Sequence, residues 1–413
     1  MAVVARPVAA RELLNELESP AFQADPYGTY ASLRASTPIC YIERHGTSTW
    51  WLTRYDDVVA MLRDPRLSAA RETGDLQGPG VPERFQRFGQ MLECMMLLKD
   101  EPDHQRLRGL VNKAFTPRMV VQLRPRVEAI AERLLADTMA RGESGMDVIR
   151  DLATPLPVVV IAELLGIPAQ DQGRFKQWSD RIAVVLDGTV RPDGLPEAVE
   201  SAGELGEYLL HVIHARRRDP RRDLISAMAG ARTGEDALSD DELVANCTLL
   251  LVAGHETTTN LIGNGMLALL RHPEQLKYLC ENPGAIANAV EECLRYDPAV
   301  QMTSRLPRVD VEFRGVCFSK GVEVGLILAA ANRDPDRFEA PDRFDVCRRG
   351  AAHLSFGHGG HFCLGAPLAR LEAEIALSSL LRRVPHIELE RQDLPRLPGV
   401  VLRGLRSLPV RFG

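Results

Sequence analysis

The sequence predicts a mainly α fold with a minor β region, and three observations carry that prediction. A capped, largely apolar helical pattern runs unbroken from Ser239 to His272, longer than most globular helices. Helical periodicity also dominates Val121 to Arg141, Ala169 to Leu186 and Glu197 to Arg218. Strand-like alternation is confined to short runs at Thr47 to Thr53, between Val309 and Val324, and near the C-terminus.

With 413 residues, 45% hydrophobic and 26% charged, the chain can bury a large core. No repeat, low-complexity tract or linker divides it, so it reads as one domain over 1–413 with residues 1–24 as an N-terminal extension. A formal net charge of −6 argues against nucleic acid or anionic membrane as partners. Met1 to Tyr27 holds no apolar run long enough for a signal peptide or membrane anchor. The eight cysteines form no C-x-x-C pair, as expected of a reducing compartment, so a cytoplasmic location is expected.

In chain order, Asp25-Pro26-Tyr27 opens a short helix, and Asp56 to Arg63 reads as another that ends before Pro65. Gly74, Gly78, Pro79, Gly80 and Pro82 predict a long irregular loop from Ser68 to about Gln90. His104 and Arg108, four apart, share a helix face, which as a bare pattern is a solvated basic stripe. Asp187 to Pro196 is a Gly/Pro-rich break.

The long helix opens on Ser239-Asp240-Asp241-Glu242, a capping box, and stops at Pro273 with cations in its last turn. At 1.5 Å per residue it spans about 48 Å. Asn246, His255, Glu256, Asn260 and Asn264 exclude a membrane span. Its middle, Ala253-Gly254-His255-Glu256-Thr257-Thr258, is rich in poor helix formers. The Thr257 hydroxyl is placed to bond the Ala253 carbonyl four residues back, and Leu250, Gly254 and Thr257 form a small-residue notch on one face. Downstream, Glu292 and Arg295 are three apart on a helix, in isolation an ordinary ion pair.

The strongest local signal is Ser355 to Arg370. Gly357, Gly359 and Gly360 permit a tight loop ahead of Cys363, and Leu364, Leu368, Leu371 and Ile375 then recur at helical spacing. Pro367 is tolerable only in the first turn of that helix. A cysteine at a helix N-terminus is biased towards thiolate. Such a thiolate above a glycine-flattened loop suits axial ligation of haem iron.

Phe356-Gly357-His358-Gly359-Gly360-His361-Phe362-Cys363-Leu364-Gly365 resembles the cysteine-ligand loop of the cytochrome P450 monooxygenases, from about Asp25 onwards and with four motifs in order. The resemblance implies the cytochrome P450 fold, with a long central helix and a minor β region. It implies non-covalent haem b, iron on the Cys363 thiolate, Phe356 and Gly365 flanking it, and Ala253 and Gly254 against the haem. His104, Arg108, Arg305, His353 and His361 would meet the propionates. Glu256 and Thr257 match the oxygen-binding motif and would deliver protons to O2. Glu292, Arg295 and Arg343, the last in Pro341-Asp342-Arg343-Phe344, match a buried structural triad. The loop after Ser68 would roof the substrate pocket, the helices on either side of Asp187 to Pro196 would form its lid, and Gly399 to Arg403 would be a turn dipping into it.

The resemblance also implies a separate ferredoxin and ferredoxin reductase carrying electrons from NAD(P)H. Arg348, Arg349, Arg370 and Arg118 would form the docking patch, or else a solvated surface. Leu249, Leu250, Ala299, Val300, Met302, Val400 and Val401 would line a pocket for a bulky apolar small molecule of polyketide, terpenoid, steroid or fatty-acid type. A monomer is expected. A peroxide-driven haem-thiolate enzyme, a non-catalytic haem-binding protein and a haem-free helical binding protein are the alternatives these residues leave open.

Overall fold

The computed structural model describes residues 17, 19–44, 47–71, 73, 76, 80–186, 194–350 and 352–413. Its chain contacts fall into two compact units. One comprises residues 1–69, 264–363 and 393–406; the other comprises 70–263, 364–392 and 407–413.

The first unit holds most of the β structure. In chain order the strands are β1 (Ile39–Arg44), β2 (Thr47–Leu52), β3 (Leu67–Ser68), β4 (Gly145–Asp147), β5 (Thr303–Pro307), β6 (Val311–Phe313), β7 (Val316–Phe318), β8 (Glu323–Leu326), β9 (Ile387–Leu389) and β10 (Pro409–Phe412). Five of them make a sheet ordered β1-β2-β8-β5-β3, in which β2 and β8 run parallel with Trp50 opposite Val324. The two-residue side-chain period of a strand sends Trp50 and Trp51 to opposite faces. Trp50 joins Val58, Phe318 and Val324 in one core cluster, while Trp51 joins Tyr30, Ile42 and Met302 in another. Gly325 on β8 is required there: a Cβ would lie 2.9 Å from both Met302 Cε and Trp51 Cδ1. Met302, expected to line a substrate pocket, is therefore a core residue.

A buried ionic cluster ties distant segments of the unit together. Asp297 Oδ1 accepts from Tyr27 Oη at 2.7 Å and from Arg403 Nε at 2.8 Å, and Oδ2 accepts from Arg396 at 3.1 Å. Arg333 stacks over the Tyr27 ring at 3.5 Å. Burial alone would raise the Asp297 carboxyl, but the guanidiniums of Arg403 and Arg396 and the Tyr27 hydroxyl outweigh it and hold it well below the usual range. A depressed carboxyl stabilises the fold above its unfolded-state pKa, and that contribution fades as pH falls through and below the unfolded value. Asp297→Asn is expected to cost about 3–5 kcal/mol, the usual consequence of leaving buried charges unpaired. Denaturant titrations at pH 7 and pH 3 check it, because the gap between wild type and variant must narrow at the lower pH.

The second unit is helical, with β4, β10 and β9 forming a three-stranded sheet at its edge. Its helices include Asp103–Ala114, Pro117–Met139, Pro155–Leu165, Gln172–Leu186, Leu195–Arg218 and Ala366–Arg383. The predicted break after Leu186 lies, for residues 187–193, outside the described residues. The loop expected from Ser68 to Gln90 is corrected in its second half by a helix at Glu83–Glu93. Phe85, Phe88 and Leu92 recur at helical spacing and bury one face, a signal overshadowed in sequence by the glycines and prolines just before it.

The central helix, Asp240–Arg271, begins as its sequence predicts. Glu242 N–H donates to Ser239 Oγ at 3.1 Å and Ser239 N–H donates to the Glu242 carboxylate at 2.9 Å. Most of the helix lies in the second unit and its last eight residues in the first. No described helix is long and apolar enough to cross a membrane.

Candidate active site

The cysteine loop is shaped by its own backbone. Gly357 and Gly359 adopt φ of +71° and +75°, the left-handed region that favours glycine. A Cβ on Gly359 would lie 3.2 Å from the Leu62 carbonyl, so the loop runs close against the helix Tyr55–Arg63. Phe362 N–H donates to the Gly359 carbonyl at 3.1 Å, and Cys363 N–H to the Phe356 carbonyl at 2.8 Å. That last bond closes the loop from Phe356 to Cys363. The rings of Phe356 and Phe362 meet edge-on at 6.2 Å. Gly365 caps the helix Ala366–Arg383, and Pro367 falls in its first turn as required.

Cys363 is exposed, whereas Cys40, Cys247 and Cys293 are buried. Burial pushes the thiols of Cys40 and Cys247 up to about 12, which keeps them protonated at neutral pH. Asn332, which the sequence reading did not single out, fixes the approach to the loop. Its Oδ1 accepts from Leu354 N–H at 2.7 Å, and its Nδ2 donates to Ser355 Oγ at 2.8 Å. Ser355 in turn donates to the Leu294 carbonyl at 2.6 Å, joining the loop to the helix Ile286–Tyr296.

That helix carries the buried ionic triad, with one correction. Glu292 accepts from Arg295 Nε at 2.7 Å and Nη2 at 2.8 Å, from Arg348 Nε at 3.1 Å, and from Asp345 N–H at 2.9 Å. The third member is Arg348, not Arg343. Phe344, 1% exposed, takes the core position beside Arg343 and turns that arginine outward, where it is 69% exposed and paired with Asp345. Arg343 contributes only its carbonyl, which accepts from both Arg295 and Arg348. Arg348 is thereby removed from the expected docking patch; Arg349 and Arg118 are exposed and Arg370 is half-buried.

Of the expected propionate contacts in this unit, Arg305 is buried on β5 and donates to the Ser304 carbonyl at 2.8 Å. His361 ends the short turn Gly359–His361 and is half-buried. The His353 side chain is 6% exposed; its Nδ1 accepts from Ser355 N–H at 3.2 Å, while Nε2 lies 3.3 Å from Glu291 without a hydrogen bond to it.

The expected pocket segments of this unit meet each other. Gln301 N–H donates to the Val401 carbonyl at 2.7 Å and Arg403 N–H to the Ala299 carbonyl at 2.8 Å. Val300 packs on the cluster around Trp50, and Val400 and Val401 pack on the cluster that holds Met302.

In the second unit, the middle of the central helix combines an open methyl, an acid and an alcohol. Ala253 is exposed although Val252 and His255 beside it are buried. The Thr257 hydroxyl donates to the Ala253 carbonyl at 2.7 Å and Thr258 to the Gly254 carbonyl at 3.0 Å. A Cβ on Gly254 would meet only the Ile161 side chain at 3.5 Å, ordinary contact, so packing does not dictate glycine there. Burial raises the Glu256 carboxyl above its ordinary range; nearby Asp180 adds to this, while His255 and Lys176 oppose it. A carboxyl held up in this way carries a proton closer to neutral pH and can pass it on. Leu249 and Leu250 are buried on the same helix.

His104 and Arg108 share a face of the helix Asp103–Ala114, His104 buried with Nδ1 3.1 Å from Glu101 and Arg108 half-buried one turn on. Sequence reasoning treated Asn246 only as an argument against a membrane span. Its amide instead donates to the Cys94 carbonyl at 3.1 Å and accepts from Met96 N–H at 3.0 Å, anchoring the segment before that helix.

These features fit a haem-thiolate centre: an accessible thiol on a backbone-pinned loop, buried thiols that stay neutral, and an acid–alcohol pair beside an open methyl. Comparison with known proteins agrees. The family model for cytochrome P450 matches residues 41–283 and 285–404. The biotin biosynthesis cytochrome P450 of Bacillus subtilis (strain 168) is 40% identical over 403 residues, covering 97% of this chain and 99% of the relative. The vitamin D(3) 25-hydroxylase of Pseudonocardia autotrophica is 41% identical over 408 residues, covering 97% and 96%. Among solved structures, P450BioI in complex with hexadec-9Z-enoic acid ligated acyl carrier protein superposes with a TM-score of 0.88 at 40% identity, covering 95% of this chain and 100% of that one. The family uses haem with an axial cysteine thiolate, O2, and electrons from NAD(P)H passed through redox partners. This chain belongs to the cytochrome P450 family and is an oxidoreductase of its monooxygenase class.

Proposed function

We propose that this enzyme inserts one atom of O2 into a bulky apolar small molecule, by C–H hydroxylation or epoxidation, with electrons from a separate ferredoxin and its reductase. The observation that carries the reading is the adjacent Glu256 carboxyl and Thr257 hydroxyl, the first raised by burial and the second bonded to the Ala253 carbonyl. Bound haem supplies the reduction of dioxygen and the transfer of its oxygen atom. Cys363 would hold the iron, and His104, Arg108, Arg305, His353 and His361 would hold the propionates.

The overall change consumes substrate, O2, two electrons and two protons, and yields oxygenated product and water. Thr257 would donate its hydroxyl proton towards dioxygen by rotating out of its 2.7 Å bond to Ala253, and Glu256 would replace that proton. Relatives whose names point to an acyl chain and to vitamin D3 differ in shape but share apolar bulk, which supports the substrate class and not one member of it.

Thr257→Ala is expected to lower product per electron pair by about tenfold, the modest end of what a positioned proton donor contributes, with peroxide released in its place. The measurement is NADPH oxidation, peroxide and product with a surrogate ferredoxin couple, using palmitoleic acid and vitamin D3 as trial substrates chosen by spin-state shift. Unchanged coupling would remove Thr257 from proton delivery. Turnover on hydrogen peroxide alone that matched the ferredoxin-supported rate would favour a peroxygenase instead.

A further inference from the structure

His255 stands between Gly254 and Glu256 on the central helix and is 3% exposed. Both of its ring nitrogens are engaged by one neighbouring helix, Gln172–Leu186. Nδ1 lies 3.0 Å from Ser179 Oγ, with the Leu251 carbonyl further off at 3.4 Å, and Nε2 lies 3.2 Å from Asp180 Oδ1. Asp180 also pairs with Lys176, one turn earlier on the same helix, at 2.5 Å. Ser, His and Asp in contact invite comparison with a nucleophilic triad, but Ser179 is fully buried and no substrate reaches its hydroxyl. The arrangement is a clamp.

We infer that His255 is a positioning residue that latches the helix Gln172–Leu186 to the oxygen motif and sets the charges that Glu256 experiences. The groups facing the imidazole are Asp180, Lys176 and Ser179 from the neighbouring helix and Glu256 from its own. An imidazolium donates from both nitrogens, to the Ser179 oxygen and to the Asp180 carboxylate, and the second bond is a charged pair. A neutral ring keeps the same contacts, with Nδ1 accepting from Ser179 and Nε2 donating to Asp180, but loses the ionic component. In either state both ring nitrogens bridge to the neighbouring helix. Asp180 and Lys176 also act on the Glu256 carboxyl in opposite directions. Both groups sit on the latched helix, so its seat fixes the charges placed around Glu256. That second half rests on the proton-delivery reading of Glu256; the latch itself does not.

The test is amide hydrogen exchange of the segment 172–186 in haem-loaded protein at pH 7, corrected for intrinsic rates, with carbon monoxide spectra as the control for a folded haem site. His255→Phe, which loses both bonds, is expected to exchange this segment about tenfold faster than wild type, the scale of one lost hydrogen bond. Asp180→Asn should speed exchange less, and His255→Gln, which can still bond Ser179, should stay closer to wild type. In the double variant His255→Phe/Asp180→Asn the segment should exchange no faster than in His255→Phe, because the Asp180 bond is already lost. Wild-type exchange in His255→Phe, or additive effects in the double variant, overturns the latch.

Discussion

Glu292→Ala is expected to abolish recovery of folded, haem-loaded protein, a loss of about 3–5 kcal/mol against a total stability commonly of about 5–15. Glu292 is 3% exposed and is the acceptor for two guanidiniums and one backbone N–H. Removing it strands the charges of Arg295 and Arg348 in the interior. Those two side chains also hold the preceding loop: Arg295 donates to the carbonyls of Asn332 and Pro341, and Arg348 to those of Glu339 and Ala340. Ala340 needs that hold, since its φ of +43° is unfavourable for a residue with a side chain.

Arg348→Ala should be nearly as damaging as Glu292→Ala. Arg343→Ala should change stability by no more than about 0.5 kcal/mol, because an exposed ion pair with Asp345 is worth little. Denaturant titration and haem content per polypeptide decide it. An Arg343→Ala protein that fails to fold while Arg348→Ala folds normally would reverse the assignment.

The choice between those two arginines shows where sequence reading ends. Both lie within six residues of each other downstream of Glu292, and either satisfies a pattern of charges. What selects Arg348 is the burial of Phe344, a matter of which side of an irregular segment faces the core. Features fixed by neighbours in the chain were legible. The capping box at Ser239, the Thr257 bond to Ala253, the place of Pro367 and the positive φ of Gly357 and Gly359 all follow from spacing or residue type.

Features fixed by partners far along the chain were not. His255 finds Ser179 and Asp180 some 75 residues away, and Asn332 meets Ser355 across a loop that carries no periodic signal. Met302 looked like pocket lining because of its place in the chain, yet Gly325 and Trp51 make room for it in the core. For substrate the sequence offers only an aliphatic bias in the segments expected to line a pocket, since the residues that shape one lie on segments placed by tertiary contacts.

Cys363→Ser carries the other large effect. Serine is nearly the same size, so the loop closed by the Cys363 N–H bond to the Phe356 carbonyl should persist. Its hydroxyl stays protonated where a thiol near a helix N-terminus ionises, so the charged sulfur ligand is lost and only a weak neutral one remains. The other exposed cysteines, Cys317 on β7 and Cys347 beside Arg348, belong to different segments and cannot replace it. Activity with a ferredoxin couple should fall below detection, while far-ultraviolet circular dichroism stays that of the folded protein.

The most direct measurement is the reduced carbon monoxide difference spectrum of wild type and Cys363→Ser, side by side. Thiolate ligation by Cys363 predicts the red-shifted Soret band that gives the family its name in wild type, and its loss in the variant. A wild-type protein without that band, or a variant that keeps it, would contradict the account.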